Sequence, residues 1–353
     1  MSLVKNSTIV VGGVMVSNLL AYLFHIIAGR LLGPLEYGVF GALMSLFLLI
    51  TMPTAALASA IAKFTSRFHS ANDIEKIAAL RKKIQKEVLF VVSILLVFII
   101  LFSQPIASYL KINSSFSVII VGISIAGASF LPVNIGVLQG MKKFKVLSWN
   151  GIIEAATRLV LLMIFLYFGY GVNGAILVYG LASFVAYLLV FPSLKELRVG
   201  SFTSDKLDAK PVYKFVGLVL IVHIVMQTLL NVPALIIKHY YSSELTGYWA
   251  SAMNIARLSL LVTVAIATAQ FPEIVREGEY HLRRKIFRKA QVLVLISSSL
   301  MALVFFLLPD VLIRIIYGSA YLGAVPFLQW LGIAMIFIGL LHIWANYLLA
   351  RLK

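Results

Sequence analysis

Two arginines and one glutamate lie deep inside long apolar runs of this 353-residue chain. An ionised side chain at the middle of a bilayer costs about 2.5 to 3.5 kcal/mol on insertion scales unless a partner or water stabilises it. Arg158 follows Glu154 by four residues, so the two can form an ion pair on one helix face. Arg257 has Asn254 one turn before it on the same face. These residues are the first candidates for a binding site.

The arginines among these residues can bind an anion, and the glutamate can take up a proton or a cation. A planar guanidinium binds phosphate through two parallel hydrogen bonds, so Arg257 and Arg158 are candidate phosphate ligands. Glu154 is the only acidic residue deep in an apolar run and is therefore the candidate for ion coupling. The alternatives are structural: Arg257 bonded to helix carbonyls or a neighbouring amide, and Arg158 neutralised by Glu154.

Other polar residues lie within or at the ends of the apolar runs. Arg30 and Lys238 each follow a run and predict a cationic outer rim, although snorkelling to the headgroups explains either residue alone. Amides within the runs, including Asn18, are candidates for binding sugar hydroxyls, but hydrogen bonds between helices are their commoner use in membranes. Cysteine is absent and the histidines show no metal-ligand spacing, so we expect no metal and no other cofactor.

The apolar runs indicate a polytopic membrane protein. The chain is 61% hydrophobic and 12% charged, whereas soluble domains are about one-quarter charged. Each run is long enough to cross a hydrocarbon core of about 30 Å. We predict an all-α fold with ten transmembrane helices, at residues 9–29, 37–61, 88–110, 116–141, 146–168, 172–192, 212–236, 246–271, 290–317 and 325–349. The ninth is expected to end near Leu308, before Pro309.

The basic residues predict the orientation of these helices. Most of the 30 lysines and arginines lie before the first run, after every second run and at the C-terminus. Loops rich in such residues face the cytoplasm, so we predict that both termini are cytoplasmic. This topology and attraction to anionic membrane lipids also explain the net charge of +17, and we expect no nucleic-acid partner.

Two basic segments of the cytoplasmic side are predicted to lie on anionic lipid. The first, at 73–87, carries an apolar stripe at helical spacing, formed by Ile74, Ile77, Leu80 and Ile84. The second precedes the ninth run. Both segments therefore have the pattern of amphipathic helices at a membrane surface.

A repeat with an offset of 208 residues divides the chain into two blocks. In the polar turn after the first run, Arg30 precedes Glu36 by six residues, and Lys238 precedes Glu244 by the same spacing after the seventh run. A period this long predicts two copies of a multi-helix block.

The repeat predicts two lobes. An N-terminal lobe of six helices covers 1–194, a cytoplasmic linker covers 195–211, and a C-terminal lobe of four helices covers 212–353. Six spans are an even number, so the copies should be related by an axis along the membrane normal. The second copy has only four spans. Either the protein is naturally shortened or the chain has lost a last helix pair, and of these two we expect a truncated or partial chain.

Three features together resemble a known family. They are the segment Gly29–Gly38 with sequence GRLLGPLEYG, the exit of the fourth run at Leu138–Phe144 with sequence LQGMKKF, and the six-helix repeat. These features are similar to the polysaccharide-biosynthesis flippases of the multidrug/oligosaccharidyl-lipid/polysaccharide (MOP) exporter superfamily. The resemblance covers the whole chain. Members of that family usually have more than ten spans, in two lobes around a central cavity, so this chain departs from the family in its length.

The resemblance implies export of a lipid-linked sugar and no enzymatic activity. The implied substrate is a polyprenyl-(pyro)phosphate-linked oligosaccharide. It would move from the inner to the outer leaflet of the cytoplasmic membrane of a prokaryote by alternating access. Sugar-assembly enzymes are possible partners of the basic segments at the cytoplasmic face.

Other functions stay open at this point. A cation-coupled multidrug exporter of the same superfamily requires acidic residues for cationic drugs, whereas the deep runs carry two arginines and one glutamate. A membrane glycosyltransferase or glycan polymerase fits the hydropathy, but such enzymes usually need a sizeable extramembrane loop or an acidic cluster. The outer loops here are short and nearly chargeless. A non-transporting scaffold is the remaining alternative.

Overall fold

The computed structural model describes residues 2–198, 209–276 and 279–351. Every regular element within these ranges is a helix, which confirms the predicted all-α fold. The α-helices are α1 (Ser2–Ser70), α2 (Ile74–Leu101), α3 (Ser103–Tyr109), α4 (Ser115–Ala128), α5 (Leu131–Gly140), α6 (Phe144–Tyr167), α7 (Gly171–Val190), α8 (Lys210–Tyr240), α9 (Ser243–Ala256), α10 (Leu258–Arg276), α11 (Tyr280–Leu307), α12 (Pro309–Ile316) and α13 (Val325–Arg351). Two short 3-10 helices cover Phe191–Arg198 and Ser319–Ala324.

The helices coincide with the predicted membrane spans. Among the described residues, nine helical segments are long and apolar enough to cross a membrane. The first, Gly12–Ser70, is 59 residues long and covers two predicted spans, so all ten predicted positions are helical. α11 ends at Leu307 and the next helix begins at Pro309, as predicted for the ninth span. The chain is a multi-pass membrane protein, and the cytoplasmic location of its termini stays a prediction.

Gly33 divides α1 into the first two spans. Its φ of 73° and ψ of 170° lie in a region that L side chains rarely adopt, so the break requires glycine. Pro34 follows at the first position of the second half, where its missing N–H leaves no extra group unsatisfied. The corresponding turn between α8 and α9 uses a cap instead, because the Oγ of Ser242 accepts a hydrogen bond from the N–H of Leu245 across 3.2 Å.

Helix dipoles explain the repeated spacing of a cation and a glutamate. Lys238 lies in the last turn of α8, and Glu244 lies in the first turn of α9. Arg30 and Glu36 occupy equivalent places on the two sides of the break in α1. A cation at the C-terminal end of a helix and an anion at the N-terminal end of the next both stabilise the helix termini. The repeat therefore reflects local helix electrostatics in both copies.

The internal contacts divide the chain into two compact units that exchange a segment. Unit 1 comprises Met1–Leu31 and Ala42–Gln227, and unit 2 comprises Leu32–Gly41 and Thr228–Lys353. The segment Leu32–Gly41 therefore belongs to unit 2, although the residues before and after it belong to unit 1. We call Leu32–Gly41 the exchanged segment. The predicted lobe boundaries stay a prediction, and residues 199–208 of the predicted linker lie outside the described residues.

Two glycines hold the exchanged segment close to α9. A Cβ atom on Gly38 would lie 1.8 Å from the carbonyl oxygen of Ser243. A Cβ atom on Gly247 would lie 1.9 Å from the carbonyl oxygen of Pro34. No side chain fits at such distances, so close backbone packing of this kind requires glycine on both helices.

The apolar stripe predicted at 73–87 exists, but it faces the protein. Ile77, Leu80 and Ile84 are fully buried in a core formed with residues of α1, α5 and α7, and Ile74 packs against that core. The stripe is the first part of α2, which continues directly into the third span. The prediction that this stripe lies in lipid is therefore wrong, because α5 and α7 supply apolar partners at the same level of the unit.

Asp73 starts α2 and is stabilised as a carboxylate. Its Oδ1 accepts a hydrogen bond from the backbone N–H of Lys76 across 3.1 Å, and its Oδ2 pairs with the Nζ of Lys76 across 2.5 Å. These side-chain and backbone hydrogen bonds lower the pKa of Asp73 below its ordinary value.

Candidate functional site

The ion pair predicted on α6 is formed. The Nη2 of Arg158 donates to the Oε1 of Glu154 across 2.9 Å, one helical turn apart. The side chains are only 17% and 22% exposed. Each ion therefore offsets much of the cost of burying the other, provided that further hydrogen bonds complete the pair.

Residues of α1 and α7 complete this pair within unit 1. The Oγ of Ser183 donates to the Oε1 of Glu154 across 2.6 Å. The ring of Tyr179, one turn earlier on α7, lies 4.3 Å from the guanidinium carbon of Arg158, a cation–π contact. The Oη of Tyr179 lies 3.4 Å from the Nε2 of His25 on α1. We call these five residues the α6 cluster.

The α6 cluster keeps one hydrogen-bond donor that the described residues do not use. The Nε of Arg158 is buried and has no hydrogen-bond partner among the described residues, so the guanidinium retains one donor. Protonation of Glu154 would remove its negative charge and leave Arg158 as an uncompensated cation in a medium of low polarity. A phosphate could then replace the carboxylate through bidentate hydrogen bonds.

Sequence reasoning found two of the five residues of this cluster. It identified Glu154 and Arg158, but it considered the histidines, including His25, only as metal ligands and did not consider Ser183 or Tyr179. Tyr179 and Ser183 are four residues apart on the apolar helix α7 and therefore share a face. This spacing is the sequence pattern that could have predicted their place in the cluster.

Asn18 lies apart from the cluster in the hydrogen-bond network. Its side chain is exposed on α1, two helical turns before His25 and on the same face. None of the hydrogen bonds between described residues joins Asn18 to the α6 cluster. Its predicted role in sugar binding stays a prediction.

Arg257 binds the protein backbone in unit 2. It occupies the break between α9 and α10, and its Nη2 donates to the carbonyl oxygen of Leu230 across 3.1 Å. The same atom donates to the Oδ1 of the fully buried Asn231 across 3.0 Å. The structure thus forms the structural alternative stated for Arg257, bonds to a helix carbonyl and a neighbouring amide.

Pro233 lies inside α8, close to the carbonyl that this arginine binds. Proline has no N–H, and its ring disturbs the hydrogen bonds of the preceding turn. Leu230 lies in that turn, three residues before Pro233. In membranes, neighbouring helices re-satisfy backbone groups that a proline releases. Arg257 therefore binds α8 in the turn before Pro233.

Asn254 binds the exchanged segment, and its predicted role in substrate binding stays a prediction. Its Nδ2 donates to the Oη of Tyr37 across 2.8 Å. Tyr37 is fully buried, and its ring packs against those of Tyr317 and Tyr321. The amide thus anchors Leu32–Gly41 within unit 2. Asn254 and Arg257 bind different partners, since Arg257 binds Leu230 and Asn231.

Arg30 and Lys238 lie in different environments and different units. Arg30 is exposed at the end of the first half of α1, whereas Lys238 is only 1% exposed. The burial of Lys238 corrects the expectation of an exposed cationic rim at this position. Its place in the last turn of α8, where the helix dipole favours a cation, accounts for a charge there.

The remaining predictions concern amides and metals. Asn134 is fully buried, and its Oδ1 accepts hydrogen bonds from the Nε of Arg81 across 2.8 Å and the Nε2 of Gln85 across 3.2 Å. It therefore joins α5 to α2, the commoner use of such an amide.

Among the described residues, no three histidine, aspartate or glutamate side chains are placed to hold a metal ion.

Comparisons with known proteins add a family to this description. The family described as polysaccharide biosynthesis protein matches residues 3–277, which is more than half of the chain. No curated protein sequence matches the chain.

Solved structures of transporters share the fold. A multidrug resistance MATE family transporter of the MOP superfamily, in its inward-facing conformation, has a TM-score of 0.72 at 15% identity, with 94% of this chain and 83% of that chain covered. The lipid II flippase MurJ, in an inward closed conformation, has a TM-score of 0.71 at 15% identity, with 95% and 75% covered. A MOP superfamily transporter from Pyrococcus furiosus has a TM-score of 0.63 at 17% identity, with 98% and 84% covered. Likeness at these identities shows the fold alone.

Proposed function

The chain belongs to the polysaccharide biosynthesis protein family, and from that premise we propose that it is a flippase for polyprenyl-(pyro)phosphate-linked oligosaccharide. It moves this substrate from the inner to the outer leaflet of the cytoplasmic membrane of a prokaryote, by alternating access and without changing a covalent bond. The observation that carries the proposal is the α6 cluster, a titratable ion pair inside a membrane-spanning helix. Buried ionisable groups of this kind mark substrate and ion pathways.

The proposed step is an exchange of counter-ions at Arg158. While Glu154 is ionised, it neutralises the arginine and competes with phosphate. When Glu154 takes up a proton or binds a cation, the guanidinium turns to the phosphate of the substrate, and loss of that ion releases it. The ring of Tyr179 holds the guanidinium in place throughout the exchange.

The other predicted ligands divide by exposure. Arg30 and Asn18 are exposed and stay candidates for phosphate and sugar contacts. Arg257, Asn254 and Lys238 act through the structure of unit 2 in this proposal, since their hydrogen bonds or burial tie them to the protein.

Complementation of a strain blocked in lipid-linked glycan export tests the proposal. We expect the chain to restore surface glycan, and Arg158→Ala to restore roughly 10-fold to 100-fold less at matched membrane levels, since a charge-assisted hydrogen bond contributes about 1.5 to 3 kcal/mol. Arg158→Lys keeps the charge but not the bidentate geometry and should fall between them. Arg314→Ala, which removes an exposed arginine of α12, is the matched control and should restore glycan fully.

Other outcomes identify the competing functions. Protection against a cationic drug without restored glycan would indicate the multidrug exporter. Formation of a new glycosidic product by the purified chain in liposomes would indicate a glycosyltransferase or polymerase. Full restoration by Arg158→Ala would contradict the role given to the α6 cluster.

The predicted orientation has its own test, because the chain contains no cysteine. A single cysteine can replace Ala71, between α1 and α2, or Asn113, between α3 and α4; both positions are exposed. With cytoplasmic termini, a membrane-impermeant maleimide should label intact cells at position 113 and leave position 71 unlabelled until the cells are broken. The reverse pattern would contradict the predicted topology.

A further inference from the structure

A groove of about 850 Å³ runs beside the first half of α11 in unit 2. Its lining changes character along the helix. Five basic side chains line its beginning, and apolar side chains such as Val292 line its end. The basic residues are His281, Arg284, Lys285, Arg288 and Lys289. Steps of three and four residues place these groups on adjoining rows of one helix face.

The opposite face of α11 fixes the orientation of this groove. Phe287, Ala290 and Val294 are buried in a core with Ile343 and Tyr347 of α13. The rings of Phe287 and Tyr347 are 4.3 Å apart between centroids. The basic face is therefore held outward by a packed helix pair and does not depend on a loop.

The groove offers positive charge to a partner outside the chain. Arg284, Lys285, Arg288 and Lys289 are exposed, and none forms an ion pair with a described acidic residue. By contrast, Lys143 forms an ion pair with Glu196 in unit 1. The four cations form two pairs that are four residues apart, which places the pairs about 6 Å from each other along the helix axis.

Charge and polarity along the groove match a lipid. An anionic headgroup fits the basic part, and an acyl chain fits the apolar part, which continues into the exposed side chains of Leu293 and Ile296. Basic pockets beside membrane helices bind phosphate-bearing headgroups in this way. A soluble anion would contact only the basic part. The two-part lining therefore favours a ligand that has both an anionic group and an acyl chain.

We propose that this groove is a binding site for an anionic phospholipid of the surrounding leaflet. The phosphate contacts the guanidinium and ammonium groups of the first turns of α11, and one acyl chain lies along Val292 and Leu293. The site is separate from the α6 cluster in sequence and in unit, so its existence does not depend on the proposed transport function.

Native mass spectrometry of the full purified chain tests the site. Phosphatidylglycerol and phosphatidylcholine are added separately, and bound lipid is counted for the wild type and a four-residue variant. The variant neutralises Arg284→Gln, Lys285→Gln, Arg288→Gln and Lys289→Gln. The control removes four exposed cations elsewhere, with Arg67→Gln, Lys82→Gln, Lys86→Gln and Lys142→Gln.

We expect the wild type and the control to bind phosphatidylglycerol in preference to phosphatidylcholine. The groove variant should bind phosphatidylglycerol roughly 100-fold more weakly, since each basic residue near an anionic lipid adds to its affinity. Its binding of phosphatidylcholine should not change. Thermal unfolding of the groove variant should match that of the control, because the neutralised side chains are exposed.

Several results would overturn the proposal. Equal losses in the groove variant and the control would mean general attraction to net charge. Displacement of phosphatidylglycerol by inorganic phosphate at the same concentration would mean a simple anion site. Preferential displacement by a polyprenyl diphosphate would assign the groove to a lipid-linked substrate and not to a membrane phospholipid.

Discussion

Removing one charge of the Glu154–Arg158 pair should destabilise the protein more than removing both. Glu154→Gln leaves Arg158 in a nearly buried position without its counter-ion. Breaking a fully buried pair in this way costs about 3 to 5 kcal/mol. About a fifth of each side chain is exposed here, so screening by water reduces the expected cost to roughly 1 to 3 kcal/mol. The double variant Glu154→Gln/Arg158→Met removes both charges and should stay within about 1 kcal/mol of the wild type.

The assay combines stability with transport. Unfolding of the purified full chain in mixed detergent micelles gives the free energy of unfolding of each variant, and complementation gives its export of surface glycan. We expect the single variant to lose stability and export together. The double variant should regain stability without regaining export, because it lacks the Arg158 guanidinium that binds the phosphate of the substrate. Arg314→Met, at an exposed arginine, serves as the control for both measurements.

Two results would refute this reasoning. Equal destabilisation by the single and double variants would show that Glu154 acts through Ser183 and packing, and not through the charge of Arg158. Normal export by the double variant would show that the substrate does not need the arginine. The first result contradicts the electrostatic account, and the second contradicts the proposed function.

Three further predictions follow from the packing and the helix ends. Gly38→Ala should destabilise the protein by more than about 1 kcal/mol because its Cβ has no room, whereas Gly217→Ala, with open space around it in α8, should stabilise it slightly; equal effects in chemical unfolding would contradict the close contact. Arg257→Met should lower the free energy of unfolding by about 1 to 3 kcal/mol through the lost hydrogen bonds to Leu230 and the buried Asn231, and a neutral effect would mean that these two bonds do not stabilise the fold. Asp73 should titrate below its ordinary pKa, so its contribution is present above that value and is lost as pH falls through the lower folded pKa; unfolding of Asp73→Asn should lack this acid dependence, and an unchanged profile would refute it.

The sequence predicted the spans well because each depends on a local property. An apolar run of sufficient length must become a helix in lipid, since the helix satisfies its own backbone. The break at Gly33 and the end of α11 before Pro309 follow from the residues themselves. The pair of Glu154 and Arg158 was also predictable, because a spacing of four residues brings two side chains together on any helix.

Contacts between distant parts of the chain were not predictable in this way. Tyr179 and Ser183 reach Glu154 and Arg158 only because α7 packs beside α6. The carbonyl and the amide that Arg257 binds lie on another helix, 27 and 26 residues earlier in the chain. The stripe around Leu80 had the period of a lipid-facing surface, and a neighbouring helix is as good an apolar partner as lipid. Periodicity identifies a face but not what covers it.

The exchanged segment Leu32–Gly41 also affects the order in which the two units can fold during synthesis. The ribosome synthesises this segment together with the first helix. It synthesises α9, whose Gly247 packs against the segment, only about 200 residues later. Domains usually complete their folding in the order of synthesis. Here the earliest part of unit 2 must wait in the membrane until nearly all of unit 1 has been inserted. Biogenesis of the second unit therefore depends on a piece of chain that the first unit carries into the bilayer.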